Sequence, residues 1–307
     1  MFRRIGTARN DNLNYETSKK CYRAFSKRVG MKIETLLSNM LFSPRGIPRL
    51  NKVAKHTNHL ANEVKISICI PVFLRQESDL PFLRELLQSI RSQSFKQYEV
   101  VLCEDSKSRL HLQDLDLTEF GFLKDELTIL KSETTGISAN TNSAVRFAKG
   151  KYIKLMFQDD LFAHPSALKN IFAALEISNK KWLLCGSDHL DQITGNFGPI
   201  MVPKLRKTLF EGINSVSSPS VVAFDRDYFL DFSNLLSLMM DCEWYIRMVH
   251  NFGQPIILRR RTVINRLHTN QAQHSLKTSL KSDLNIVSSL HSTKRMGKCR
   301  CLCRSQK

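Results

Sequence analysis

Residues 136–160 read GISANTNSAVRFAKGKYIKLMFQDD. Ser138–Lys149 reads as a helix entered through a glycine. Lys151–Phe157 (KYIKLMF) is a short apolar run of strand length, and Asp159 and Asp160 follow it directly. A helix that feeds a buried strand ending in acidic residues is the unit from which α/β sheets are built. In such sheets ligands gather at the carboxyl ends of the strands, where loops converge.

The same alternation continues on both sides. Upstream, VKISICIPV (64–72) is an apolar run closed by a proline. Leu80–Ser94 has apolar residues at helical period, Tyr98–Cys103 (YEVVLC) is a second buried strand, and Glu126–Leu130 is a third. Downstream, Pro165–Glu176 is a helix with proline near its first turn, and Trp182–Cys185 and Val221–Phe224 are strands. Leu235–Asn251 is a helix carrying Asp241 and Glu243, Thr262–Leu267 is a strand leading to His268, and residues 272–291 are helical. The pattern predicts an α/β fold, a Rossmann-like three-layer sandwich with a mainly parallel sheet. Asp105 follows the second strand and Asp159 and Asp160 the fourth, which places acids where a ligand is expected. The expected organisation is a basic, partly helical extension at 1–64, with helical spacing around Lys32–Phe42. A central α/β domain at 65–270 and a C-terminal helix with a basic, Cys-containing tail at 271–307 complete it.

The chain has 307 residues and a net charge of +18. The charge is unevenly placed. Residues 1–65 hold 14 Lys/Arg against 4 Asp/Glu, and residues 256–307 hold 12 against 1, while the centre is slightly acidic. Basic ends fit an anionic membrane surface better than nucleic acid, because the basic residues avoid the centre and no recognition motif occurs. No stretch approaches the ~20 apolar residues of a membrane span. MFRRIGTARNDN lacks the apolar core of a secretory signal, and Phe2 excludes myristoylation. Eight cysteines form no CxxC pair or disulfide spacing, and Cys69 and Cys103 read as buried thiols. The expected setting is cytoplasmic, peripheral on the inner face of a membrane.

Adjacent carboxylates at a strand end repel unless a cation sits beside them. Mg²⁺ and Mn²⁺ favour oxygen ligands and leave room for phosphate oxygens. Asp is also common in turns and helix caps, so the pair by itself leaves both readings open. Asp241 reads equally as an acid favoured by a helix N-terminus, and His268 as a structural imidazole.

The order IPV, VVLCED, GISANTNSAVRFAKGKYIKLMFQDD, SPSVVAF, MDCEWYIRM, RLH resembles the family 2 glycosyltransferases, which have the GT-A fold. The resemblance covers about residues 65–270. It implies an inverting transferase that moves a sugar from a nucleotide-diphosphate donor, UDP-linked among the candidates, to a hydroxyl of a glycan or lipid-linked acceptor. It also implies a divalent metal, Mg²⁺ or Mn²⁺. By the same resemblance Pro71, Val72, Glu104, Asp105, Asn142, Asp159 and Asp160 bind the donor, with Asp105 favoured over Glu104. Asp159, Asp160 and His268 hold the metal. Asp241, six residues before Arg247, is the catalytic base, and Ser218, Ser220 and Glu243 lie on the acceptor side. Two positions depart from the family pattern. Phe157 stands for the first Asp of the DxD motif, and Thr141 for the Arg that often precedes the central Asn. The rival readings are a nucleotidyltransferase, a basic nucleic-acid-binding protein and a pseudoenzyme. The first would place a glycine-rich basic loop after the first strand, where FLRQESD (73–79) has no glycine.

Overall fold

The computed structural model describes residues 63–105, 111–112, 121–122, 126–269, 271 and 279–291. The basic ends, the expected helix at Lys32–Phe42 and residues 272–278 lie outside them. Eight strands are described: β1 (Ile66–Val72), β2 (Tyr98–Glu104), β3 (Leu127–Lys131), β4 (Tyr152–Leu155), β5 (Leu161–Phe162), β6 (Trp182–Asp191), β7 (Val222–Asp225) and β8 (Ile256–Leu267). Five α-helices accompany them: α1 (Leu80–Arg91), α2 (Ile137–Phe147), α3 (Ala167–Ile177), α4 (Met240–Phe252) and α5 (Leu280–Leu290).

The strands form one sheet in the order β3-β2-β1-β4-β7-β6-β8-β5. β1, β2, β3 and β4 are parallel, as are β6 and β8, while β7 and β5 pair antiparallel to their neighbours. The mainly parallel sheet is the expected one. Every residue of β1 and β2 is buried. Strands covered on both faces carry continuous apolar runs rather than alternation, and that explains how they read in sequence.

Register brings three strand ends together. Val72 pairs with Glu104, and the Asp105 amide donates to the Val72 carbonyl at 3.0 Å. Cys69 pairs with Leu155, and the Met156 amide donates to the Cys69 carbonyl at 3.0 Å. The exits of β1, β2 and β4 therefore open at one edge of the sheet. Gly136, at φ +114°, turns the chain into α2 there, a conformation that L side chains rarely adopt.

Several elements differ from the sequence reading: β6 runs on past Cys185 to Asp191, and β8 begins at Ile256 rather than Thr262. β5 has two residues, paired with Ile264 and Val263, and is too short to show any period. α4 begins at Met240 rather than Leu235. The amides of Ser237, Leu238 and Met239 donate to the Asp283 carboxylate, so the turn before the helix is held from outside it. α5 carries Val287 into the common core, 1% exposed. Among the described residues no helix is long and apolar enough to cross a membrane. Cys69 and Cys103 are buried and free.

The α2–β4 connection is pinned by a buried polar cluster. The Ser67 hydroxyl donates to Glu99 at 2.6 Å and accepts from the Gly150 amide at 2.8 Å, while the Lys149 amide donates to the same Glu99 oxygen at 2.6 Å. A Cβ on Gly150 would lie 2.7 Å from the Ser67 backbone nitrogen. Gly150→Ala should therefore cost about 2 kcal/mol by overpacking against backbone that cannot yield. The urea midpoint checks this, and a midpoint equal to wild type would contradict the rigid contact.

Candidate active site

The strand exits surround a cavity of about 530 Å³. Pro71, Val72 and Phe73 leave β1 on one side, and Asp105 leaves β2 beside them. The first turns of α2, from Gly136 to Asn140, form a second wall, and Phe157–Asp159 a third. His268 and Gln271 beyond β8, and Asn234, Leu236 and Ser237 before α4, close it. Three contacts hold these walls. The Gly136 amide donates to Asp105 Oδ2 at 2.5 Å, which sets a carboxylate against a helix N-terminus, where the dipole favours it. Asn140 Nδ2 donates to the Val72 carbonyl at 3.0 Å. Gln158 grips Phe73 at both backbone atoms, accepting from its amide at 2.7 Å and donating to its carbonyl at 3.0 Å.

The acidic pair divides. Asp159 faces the cavity, and its Oδ2 lies 3.1 Å from His268 Nε2. Asp160 points the other way, into the protein. It is 3% exposed and accepts from Ser218 Oγ at 2.9 Å, Asn265 Nδ2 at 3.0 Å and the Arg266 amide at 3.3 Å. Burial, and then the charge of Asp159, push its carboxyl well up. Arg266, fully buried, fastens the backbone from beneath. Its guanidinium donates to the carbonyls of Asp159 and Phe82, is paired with Glu85, and lies 4.6 Å from the centroid of the Phe82 ring. That ring also stacks on His268 at 4.6 Å. His268 Nδ1 is buried without a hydrogen-bond partner, so stacking rather than a hydrogen bond steadies the imidazole from that side.

Asp159 and His268 fit a divalent cation. Six-coordinate ions with ligands at about 2.1 Å separate neighbouring ligand atoms by about 3 Å. The observed 3.1 Å fits that edge, and one carboxylate plus one imidazole suits Mn²⁺ or Mg²⁺ with further oxygens from phosphate and water. Among the described residues no group of three or more His, Cys, Asp or Glu side chains converges as a metal site.

Asp241 stands in the first turn of α4, outside the cavity lining and against the loop from Asn214 to Ser218. Its Oδ2 accepts from Asn214 Nδ2 at 2.7 Å and its Oδ1 from the Cys242 amide at 2.7 Å. Burial pushes its carboxyl up to about 6. Asn214 also donates to the Ser217 carbonyl, and Ser217 Oγ donates to Asn265 Oδ1, the residue that donates in turn to Asp160. Asp241 and Asp160 are thus joined through one hydrogen-bonded loop. Ser217 has φ 110°, a left-handed conformation held by the Asn214 side chain, which accepts from the Ser217 and Val216 amides.

A family model, glycosyl transferase family 2, matches residues 67–250. The chain belongs to this family. A Sinorhizobium fredii protein, y4gI, is 25% identical over 168 residues, 54% of this chain and 18% of its own length. An uncharacterized glycosyltransferase of Rickettsia prowazekii is 26% identical over 129 residues, 41% of this chain and 37% of its own length. The chain therefore spans well under half of these relatives. TarS of S. aureus, residues 1–349, solved with UDP-GlcNAc, superposes with TM-score 0.53 at 17% identity over 73% of this chain and 66% of that one. The mannosyltransferase PcManGT of Pyrobaculum calidifontis, solved with GDP-Man and Mn²⁺, superposes with TM-score 0.51 at 15% identity over 75% and 65%. The shared fold is GT-A.

The remaining family 2 positions are placed as follows. Glu104 is buried, accepts from the Leu112 amide at 3.0 Å and has His111 3.4 Å away, so Asp105 is the one that faces the cavity. Asn142 stands apart from the cavity, exchanging two hydrogen bonds with the Phe232 backbone at 2.9 and 2.8 Å. Thr141 bonds back to the Ile137 carbonyl at 2.7 Å. Ser220 Oγ accepts from the Phe157 amide at 2.8 Å, so both expected acceptor-side serines face the acidic strand end. Glu243 lies away from Asp241, 1% exposed. Burial raises its carboxyl, but hydrogen bonds and charge from His291 and Arg247 outweigh that and hold it below the usual range.

Several residues carry the site without a local sequence signal: Gln158, Asn214, Asn265, Arg266 and Lys154. Lys154, buried within β4, donates to the carbonyls of Leu155, Ser220 and Val222, and burial brings its amine down to about 8. The two adjacent acids should separate in their effects. Asp160→Ala removes the acceptor of three donors, two of them buried, and should cost about 3 kcal/mol. Asp159→Ala should leave stability within about 0.5 kcal/mol, as for other partly exposed sites. Chemical denaturation of both variants measures this, and equal losses would contradict the division of roles.

Proposed function

We propose that the chain transfers a sugar from a nucleotide-diphosphate donor, UDP-linked, to a hydroxyl of a glycan or lipid-linked acceptor, with inversion and with a divalent cation. The observation that carries this reading is the Asp159–His268 pair on the wall of a cavity built by the exits of β1 and β2 and the start of α2. Nucleotide sugars bound to TarS and to PcManGT, and Mn²⁺ in the latter, support the donor class and the metal.

Asp159 and His268 would hold the cation, which supplies positive charge against the diphosphate as it leaves. Asp105, Pro71 and Val72 border the region for the nucleoside. Asp241 takes the proton of the acceptor hydroxyl as its oxygen forms a bond to the anomeric carbon and the bond to the diphosphate oxygen breaks. Attack from the face opposite the leaving group gives inversion. A carboxyl at about 6 is a better proton acceptor near neutrality than one in the ordinary range, and still ionised there. The cavity volume and its single acidic–imidazole pair favour this reading over nucleic-acid binding.

Two measurements test it. Asp241→Asn should leave donor affinity intact and lower transfer about 10²- to 10⁴-fold, whereas Glu243→Gln should lose much less. In the wild-type protein the rate should rise with pH through about 6, since Asp241 accepts a proton only when ionised. Near wild-type transfer by Asp241→Asn would exclude it as the base. EDTA should abolish turnover of a nucleotide sugar and Mn²⁺ should restore it, and undiminished turnover in EDTA would exclude the metal.

A further inference from the structure

α5 reaches the start of α4 at several points. Asp283, 2% exposed on the buried face of α5, places one carboxylate oxygen 3.1, 2.7 and 2.9 Å from the amides of Ser237, Leu238 and Met239. These residues lead directly into α4, whose own N-cap, Met239, has no side-chain oxygen to offer. These amides stand in the turn just before the helix, and their acceptor arrives from a helix more than forty residues later in the chain. A buried carboxylate is tolerated because three N–H groups and the positive end of the α4 dipole meet it.

The same helix touches the other supports of Asp241. His291 Nε2, just beyond α5, lies 3.3 Å from Glu243, two residues past Asp241. Leu280, the first residue of α5, and Met239 both press on Gly212. A Cβ there would meet Leu280 Cδ1 at 2.9 Å and Met239 Sδ at 3.2 Å. Gly212 stands two residues before Asn214, the side chain that donates to Asp241. α5 thus braces the turn before the base, the helix after it, and the approach to its hydrogen-bond donor.

Resting on the reading of Asp241 as the base, we propose that Asp283 is a positioning residue for it, fixing from the C-terminal helix the turn that leads into α4 so that the Asp241 carboxylate is held in place. The physical reason is geometric. Asp241 is the second residue of α4, so its place follows from the turn through which the chain enters the helix. A displacement of about 1 Å at a reacting group can cost on the order of 10²-fold in rate. Ser237 also borders the cavity, so that turn joins the donor wall to the base.

The test uses the full chain with Asp283→Ala and Asp283→Asn, assayed well below the melting temperature of each variant. Asp283→Ala should lower kcat about 10- to 100-fold while KM for the nucleotide sugar changes less. The rise of rate with pH should also move below 6, because a loosened turn admits water to Asp241 and removes the burial that raises its carboxyl. The Asp160 carboxyl, linked to Asp241 through Asn214, Ser217 and Asn265, is also raised, so the readout is the shift of the limb between variant and wild type, to which Asp160 is common. Burial pushes the Cys242 thiol and the Tyr245 phenol well up, so both stay neutral in that range. Asp283→Asn keeps one acceptor oxygen in the same volume but loses the charge, so kcat should fall about 3- to 10-fold, less than in Asp283→Ala, and the pH limb should move the same way but less. If Asp283→Ala does not fold, the Asn variant alone decides, since its loss of charge should still give a measurable fall in kcat. An unchanged kcat and pH limb in whichever variants fold would overturn the proposal. A lowered melting temperature with kcat and pH limb unaltered would overturn it equally, reducing Asp283 to a stabilising contact. Failure of the base reading is distinct, because Asp241→Asn would then transfer sugar at near wild-type rate.

Discussion

The carboxylate of Asp160 is the point on which the site depends. It lies in the interior with the Asn265 amide group, the Ser218 hydroxyl and the Arg266 backbone amide directed at it. An acid placed there without those donors would be unpaired in a low-dielectric core, at a cost of several kcal/mol. The strand end, β8 and the loop before β7 must therefore meet for the fold to be stable. Once they meet, Asp159 has one direction left, toward the cavity and His268. Arg266 completes the constraint through the Asp159 carbonyl, and the Phe82 ring that lies beside its guanidinium also stacks on the imidazole.

Two supports of unlike kind carry the acids. The cavity walls are sheet ends and a helix start, tied by backbone atoms of Val72, Phe73 and Gly136 to the side chains of Asn140, Gln158 and Asp105. Sites built on such regular elements are held more tightly than sites on loops. Behind Asp160 and Asp241 the support is a polar loop, Asn214–Ser220, fixed by hydrogen bonds to both acids and to the buried Lys154.

The two departures from the family 2 pattern have visible structural consequences. Phe157 replaces a carboxylate with a ring that borders the cavity and packs against the core, while its amide is satisfied by Ser220. The cavity wall there is apolar, and Asp159 is the acid that remains on it. Thr141 turns its hydroxyl back to the Ile137 carbonyl and offers no cation to a phosphate. In the proposed reaction, positive charge for a diphosphate would come from a cation held by Asp159 and His268 and from the positive end of α2.

The sequence by itself determined the alternating strands and helices, because burial on both faces makes β1, β2 and β4 continuous apolar runs and helical period is a local property. It also determined that Asp105 and Asp159 stand at strand exits, since each follows directly after an apolar run. Only the tertiary structure decided which acid of each pair faces the cavity. Asp159 and Asp160 are neighbours with the same chemistry, and Asn265, Ser218 and Arg266, from distant parts of the chain, turn one of them inward. Asn142 and Glu243 were legible as motif members, yet their partners are Phe232 on one hand and His291 with Arg247 on the other, contacts that no spacing announces. Asp283 carried no signal at all. An acceptor for the turn before α4 delivered from another helix exists only once the two helices have packed.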